Sequence, residues 1–362
     1  MLEVRLRWFL AALAVAALAF GVSACGGGGS SDSSSSASSS TEAVETETAA
    51  ESDEGATTED AGLEGKRAAI LMGPNGLPFL DRLKKYYSEA FAGTGLDLEF
   101  LRAEDWAADA EARNLNQAVA NDANVILWQP AGQEAARAPL TKAKEDDIPV
   151  ILTGVPPTET IEGLYTSYSS IENKEKGRLG VETFIEGLEA AGVESGEIAV
   201  LNGQQGQAQV AEEEEGEKEA FDAHPQFKVV SEVYGGWDPI KASEVTRPVF
   251  AKYGSSLVGL YSAGGPMGGA AVTTAEESGL NVGTAQGDFV LSAGDCDTTS
   301  IEAIRDGKMY STLNYGPVLE GEAGAEAVKK VLDGQTLEPR TVAPVSPITK
   351  ASLKKYGAEC EY

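Results

Sequence analysis

The chain has 362 residues, with 57 Asp or Glu against 28 Lys or Arg and a formal net charge of −29 at pH 7; repulsion on that scale argues against nucleic acid and acidic lipid surfaces as partners. One histidine, His224, and three cysteines leave no cluster at zinc spacing and little material for a Ser-His-Asp or Cys-His nucleophile. The phosphate-cradling patterns GxxxxGKS/T and GxGxxG are both absent, so no enzyme, metal or cofactor is expected.

At the N-terminus, Arg5 and Arg7 precede an apolar run from Trp8 to Phe20, which closes on Val22-Ser23-Ala24-Cys25. Thirteen residues fall short of the ~20 that span a bilayer. A basic start, a short apolar stretch and a small-residue cleavage site read as a secretory signal peptide over residues 1–24. Its final cysteine resembles the lipobox of bacterial lipoproteins, which implies cleavage before Cys25 and lipidation of that residue. The competing reading is an uncleaved, anchored signal helix. Everything after Cys25 is expected outside the cytoplasm, on the periplasmic or outer-surface side, held to the cell membrane by acyl chains.

From Gly26 to Gly65 the chain is Gly, Ser, Thr, Ala and acid, with ten Asp or Glu and no Lys or Arg. Such a composition buries too little apolar surface to offset ordering, so 25–65 is expected to be a lipidated cysteine plus a disordered tether. Its root-mean-square reach is roughly 35 Å. A glycosylated or wall-binding stalk is the alternative.

The 297 residues from 66 onward suggest two domains. Ala68 to Met72 is an apolar run and Gly73-Pro74-Asn75-Gly76 a turn cluster. Phe79, Leu80, Leu83, Tyr86, Tyr87, Ala90 and Phe91 then recur on one face at helical period. This strand, loop and helix repeat as Leu96 to Leu101 with Ala107 to Ala120, Val125 to Trp128 with Gln133 to Lys144, and Val150 to Thr153. A second series has apolar runs at Ile198 to Leu201, Phe227 to Val233, Leu257 to Tyr261 and Phe289 to Ser292. The alternation predicts an α/β fold of two similar lobes, each a parallel sheet flanked by helices.

In open parallel sheets a ligand sits beyond the carboxyl ends of the strands. The candidates are therefore Gly73 to Phe79, Gln129-Pro130, Thr153-Gly154, Asn202 to Gln209, Gly235-Gly236-Trp237, Ser262 to Met267, and Asp295. Gln204, Gln205, Gln207 and Gln209 have amides that both donate and accept. Glu212 to Glu215 read either as a solvated face on a helix's first turns or as an attractor for a cationic ligand. Cys296 and Cys360 remain as an even pair in an oxidising compartment, which permits a disulfide.

The order of these motifs resembles the type I periplasmic binding proteins, the sugar receptors of bacterial ABC importers. The matching stretches are AAILMGPNGLPFLDRL (68–83), VILWQPAGQEA (125–135), IPVILTG (148–154), GDCDTTSIEAIRDGKMYSTL (294–313) and SPITKASLKKY (346–356). The resemblance implies two lobes around a cleft, joined by a three-crossing hinge near Ser169-Ser170, Tyr315-Gly316 and Val345-Ser346. Lobe one would be 66–169 and 316–345, lobe two 170–315 and 346–362. It also implies a monomer that captures a small polar solute, a sugar or sugar-like compound, and delivers it to ABC permease subunits. A sensory receptor presenting its closed form to a signalling partner, and a receptor for a cationic amine, are the alternatives.

Carried over residue by residue, Phe79 and Trp237 match aromatics that stack on the two faces of a sugar ring, and Asp295 matches an acceptor of hydroxyl protons. Asn75, Gln129, Thr153, Gln205, Gly264, Asn314 and Tyr315 take the other ligand-facing places. Each of the first three also has a structural reading: helix stripe for Phe79, core or surface aromatic for Trp237, helix cap for Asp295. The chain departs from the pentose and hexose receptors where Thr153-Gly154 replaces Asp-Arg, Glu212 to Glu215 replace an expected Arg, Gly264-Gly265 replace Asn-Asp, and Tyr315 replaces Gln.

Overall fold

The computed structural model describes residues 62–362 apart from Ala131. The signal peptide, Cys25 and the tether up to residue 61 lie outside the described residues. The first part of the chain runs β1 (Arg67–Met72), α1 (Pro78–Ala90), β2 (Asp97–Arg102), α2 (Ala108–Ala120), β3 (Val125–Trp128), α3 (Arg137–Glu145), β4 (Val150–Leu152) and β5 (Ser167–Ile171). Next come α4 (Asn173–Ala190), β6 (Gly196–Asn202), α5 (Ala208–Ala223), β7 (Phe227–Tyr234), α6 (Pro239–Tyr253), β8 (Leu257–Ser262), α7 (Gly265–Glu277), β9 (Val290–Ala293), α8 (Thr298–Arg305) and β10 (Ser311–Leu313). The chain ends with α9 (Pro317–Leu332), β11 (Arg340–Ala343), β12 (Pro347–Thr349) and α10 (Leu353–Tyr356).

Among the described residues there are two six-stranded sheets, ordered β11-β5-β4-β3-β1-β2 and β12-β10-β9-β8-β6-β7. All pairings are parallel except that of β12, which runs antiparallel to β10. Alternate residues of β1 serve opposite faces of the first sheet. Ala68, Ile70 and Met72 join Leu80, Leu83 and Tyr87 of α1 and Val328 of α9, while Ala69 and Leu71 join Leu115 of α2 and Leu140 of α3. In the second sheet Ile198 and Val200 face Val181, Phe184 and Leu188 of α4. Ala199 and Leu201 face Phe250 of α6 and Met267 and Ala271 of α7. Burial on both faces is why the central strands read as continuous apolar runs.

The chain passes between the sheets three times. β5 stays in the first sheet through Ile171, where it pairs with Ala343 of β11. The first passage therefore follows Ile171, two residues later than Ser169-Ser170. The second is Asn314–Gly316, between β10 of the second sheet and α9, which packs on the first. The third lies between Ala343 and Pro347. The last two are tied side by side: Asn314 N–H donates to the Ser346 carbonyl at 2.9 Å, and Ser346 N–H donates to Asn314 Oδ1 at 2.6 Å.

β5, β10, β11 and β12 are short, serine-rich or exposed, so no apolar run announces them; pairing with a preformed neighbour makes them strands. A disulfide joins Cys296, just after β9, to Cys360 in the C-terminal turn. Tyr362 Oη adds a hydrogen bond to the Cys296 carbonyl at 2.7 Å. Among the described residues no helix is long and apolar enough to cross a membrane.

Candidate functional site

Loops at the carboxyl ends of both sheets converge on one cavity. The first sheet contributes Leu77, Phe79 and Leu80 after β1, Trp106 after β2, Gln129 after β3 and Val155 after β4. The second contributes Gln209, Trp237, Gly264, Pro266, Met267 and Asp295, and the second passage contributes Tyr315. Six of the ten predicted binding residues thus share one cavity: Phe79, Gln129, Trp237, Gly264, Asp295 and Tyr315.

The other four do not line it. Asn75 and Gln205 are exposed turn residues. The Thr153 hydroxyl is buried and donates to Glu320 Oε1 at 3.2 Å, and Asn314 is committed to Ser346 across the two neighbouring passages. Of the four glutamines before α5, Gln209 is the one that reaches the cavity.

Trp237 has a left-handed backbone, φ 65°, and its indole lies flat enough on Gly203 that a Cβ there would overlap the ring. The indole N–H donates to Gln207 Oε1 at 2.8 Å. Phe79 and Tyr315 rings stand 5.6 Å apart at a tilt of 41°. Tyr315 Oη donates to Glu320. Glu320, fully buried on α9, also accepts from Gln129 Nε2 at 3.0 Å. Burial pushes the Glu320 carboxyl up to about 7, against the pull of Tyr315, Thr153 and Lys176. Gly154, at φ 68°, makes room for this group, since a Cβ would come within 2.7 Å of Gln129 Nε2 and 3.0 Å of Glu320 Oε1. Thr153 and Gly154 thus pack around a buried carboxyl.

Asp295 follows β9 and accepts from the N–H of Gly265 at the start of α7. Burial raises its carboxyl to about 7; the Lys176 ammonium and the Gly265 N–H oppose that, and Glu213 and Asp297 add to it.

Lys176 went unread in the sequence because it lies on α4 rather than after a strand. It is wholly buried, and its Nζ donates to Glu213 Oε1 at 2.9 Å and to the Ala263 carbonyl at 3.2 Å. It also sits 5.5 Å from the Trp237 ring centroid and 5.3 Å from that of Tyr315, behind the cavity wall. Burial alone would lower its pKa, but Glu213 and Asp295 hold it charged and raise it. The approach of α4 to α5 depends on Gly177 and Gly216, where any Cβ would collide with the facing backbone.

Among the described residues none of the acidic run on α5 lines the cavity; Glu213 is buried, Glu212 and Glu214 are half-buried, and Glu215 is exposed. Glu213 pairs with Lys176, Glu212 accepts from Asn173 at 3.1 Å, Glu214 accepts from Tyr234 Oη at 2.9 Å, and Glu215 accepts from Lys174 at 3.3 Å.

Trp106, Leu80 and Val155 also lie outside the candidate loops named from the sequence. Trp106 was legible by the same rule as Trp237, as the aromatic just after the second strand of its series.

The periplasmic binding protein domain matches residues 68–336, and the chain belongs to that family. Ribose import binding protein RbsB of Haemophilus influenzae is 23% identical over 273 residues, covering 75% of this chain and 88% of the relative. An ABC transporter solute binding protein from Agrobacterium vitis, solved with bound D-fucose, aligns with TM-score 0.73 at 21% identity over 82% of this chain and 100% of its own. A periplasmic solute binding protein from Actinobacillus succinogenes, solved with bound D-allose, aligns with TM-score 0.70 at 22% identity over 80% and 100%. These structures share the two-lobe α/β fold. The relatives are binding proteins rather than enzymes, and the chain belongs to that class of activity.

Proposed function

We propose that this chain is an extracytoplasmic, lipid-anchored receptor of an ABC importer, which captures a monosaccharide or sugar-like solute between its lobes and delivers it to the permease. The observation that carries this reading is the convergence of both sheets' loops on one cavity with aromatic walls at Phe79, Trp106, Trp237 and Tyr315 and acceptors at Gln129 and Asp295. Aromatic faces suit the C–H surfaces of a sugar ring, and buried acceptors take hydroxyl protons. The names of the relatives, a ribose importer component and receptors holding D-fucose and D-allose, point the same way. The departures at Thr153-Gly154, Gly264 and Tyr315 argue for a ligand other than ribose.

Uptake works by a shift of population toward a closed state in which the ligand touches both lobes, the chain bending at its three passages. A thermal-shift screen against sugars, polyols, amines and amino acids tests the reading, because a ligand bound only by the native state raises stability as RT ln(1 + [L]/Kd). A response to amines or amino acids with none to sugars or polyols would refute it. Anchoring rests on Val22 to Cys25: Cys25→Ala should leave the protein uncut or soluble, and a mature N-terminus elsewhere would overturn that part.

A further inference from the structure

We propose that the ligand is a neutral deoxy-sugar, one whose ring carries a methyl in place of the exocyclic hydroxymethyl group. This rests on the sugar-receptor reading and narrows it.

Neutrality follows from the charges. Among the described residues no Lys or Arg lines the cavity, so a carboxylate or phosphate would meet no cation. The nearby ammonium, Lys176, stands behind the Trp237 and Tyr315 rings and is bonded to Glu213 and the Ala263 carbonyl. A cationic ligand gains little either. A cation in the cavity would be repelled by Lys176, 5.5 and 5.3 Å from the Trp237 and Tyr315 ring centroids, and the same ammonium balances Asp295.

The hydrogen-bonding capacity is small. Three amide or carboxyl side chains line the cavity, Gln129, Gln209 and Asp295, together with the Trp106 indole; the Trp237 N–H and the Tyr315 hydroxyl are committed to Gln207 and Glu320. The Gln129 amide nitrogen is held by Glu320, while its carbonyl oxygen is buried with no partner among the described residues. One Asp295 oxygen accepts from Gly265 and the carboxyl's other oxygen remains for a ligand. The buried polar groups therefore receive protons from only a few ligand hydroxyls.

Five of the remaining lining residues offer nothing to a hydroxyl. Leu77, Leu80 and Val155 from the first lobe and Pro266 and Met267 from the second are aliphatic or thioether surface. A hydroxymethyl oxygen buried there without a partner weakens binding about tenfold or more, whereas a methyl is accommodated favourably.

The test is calorimetry on the full-length protein with sugar pairs that differ only at C6, L-rhamnose with L-mannose and D-fucose with D-galactose, alongside D-galacturonate and D-glucosamine. The expected result is that the better 6-deoxy sugar binds at least about tenfold more tightly than its parent, with the two charged sugars weaker than either. A parent hexose binding equally or better, or a charged sugar binding best, overturns the deoxy-sugar proposal and leaves the sugar-receptor reading standing. Silence from every sugar and polyol overturns both.

Discussion

Trp106 and Trp237 occupy equivalent places in the two halves of the fold. Each follows the second strand of its series, β2 or β7, each has a left-handed backbone at φ 53° or 65°, and each lays its indole on the glycine just after the first strand, Gly73 or Gly203. Both line the same cavity. A bulky residue at positive φ persists only where its surroundings over-determine it, and such strain concentrates at ligand clamps. Under the proposed function the pair would act as two jaws, one from each lobe.

Truncating either jaw should therefore reduce affinity more than its effect on the fold would suggest. Trp237→Ala is expected to weaken ligand binding by about 1–3 kcal/mol, roughly 5- to 150-fold, through lost stacking and burial. Trp106→Ala should behave alike. The loss of stability should fall below the ~3–5 kcal/mol typical of core Trp truncation, because both indoles are only half-buried. Calorimetry and urea titration on the same variants separate the two effects.

Stability should fall as pH rises from about 4 to about 7. Unfolded Asp and Glu titrate near 4, whereas burial raises Asp295 and Glu320 to about 7 and raises Glu217 as well. Between those limits the folded state holds more protons than the unfolded one, so each pH step favours unfolding, and this contribution levels off above the folded values. Urea midpoints measured across that range should drop in the wild type, and Glu320→Gln should flatten part of the slope.

Lys176→Met should be among the most damaging single substitutions, at about 3–5 kcal/mol, because it strands Glu213 as an uncompensated buried acid. The double variant Lys176→Met, Glu213→Leu should recover much of that loss, since removing both charges abolishes the desolvation penalty. A double-mutant cycle by chemical denaturation measures the coupling; simple additivity would show that the 2.9 Å ion pair is energetically irrelevant.

Replacing Cys296 and Cys360 by serine should remove about 4 kcal/mol, the chain-entropy value for a 64-residue loop. The wild type in reducing buffer should show the same lowered urea midpoint. Since Cys296 neighbours Asp295, ligand affinity in the double variant would reveal whether the bridge also steadies the cavity.

Much of this protein was legible in order and period alone. Apolar runs such as Val125 to Trp128 and glycine-rich loops after them define parallel α/β lobes, because strands covered on both faces must be apolar throughout and ligand loops must follow their carboxyl ends. That logic reached Phe79, Trp237 and Asp295. Tertiary structure decided what local pattern does not encode. β5, β10, β11 and β12 exist through pairing with neighbours far along the chain, and Lys176 and Glu320 project from the first turns of α4 and α9. Asn75, Thr153, Gln205 and Asn314 sit at the expected places in the chain, but neighbouring side chains or solvent claim them. A side chain's role depends on its partners in space, and those partners, such as Glu320 for Thr153 at a separation of 167 residues, are brought together only by the packing of the two sheets and their helices.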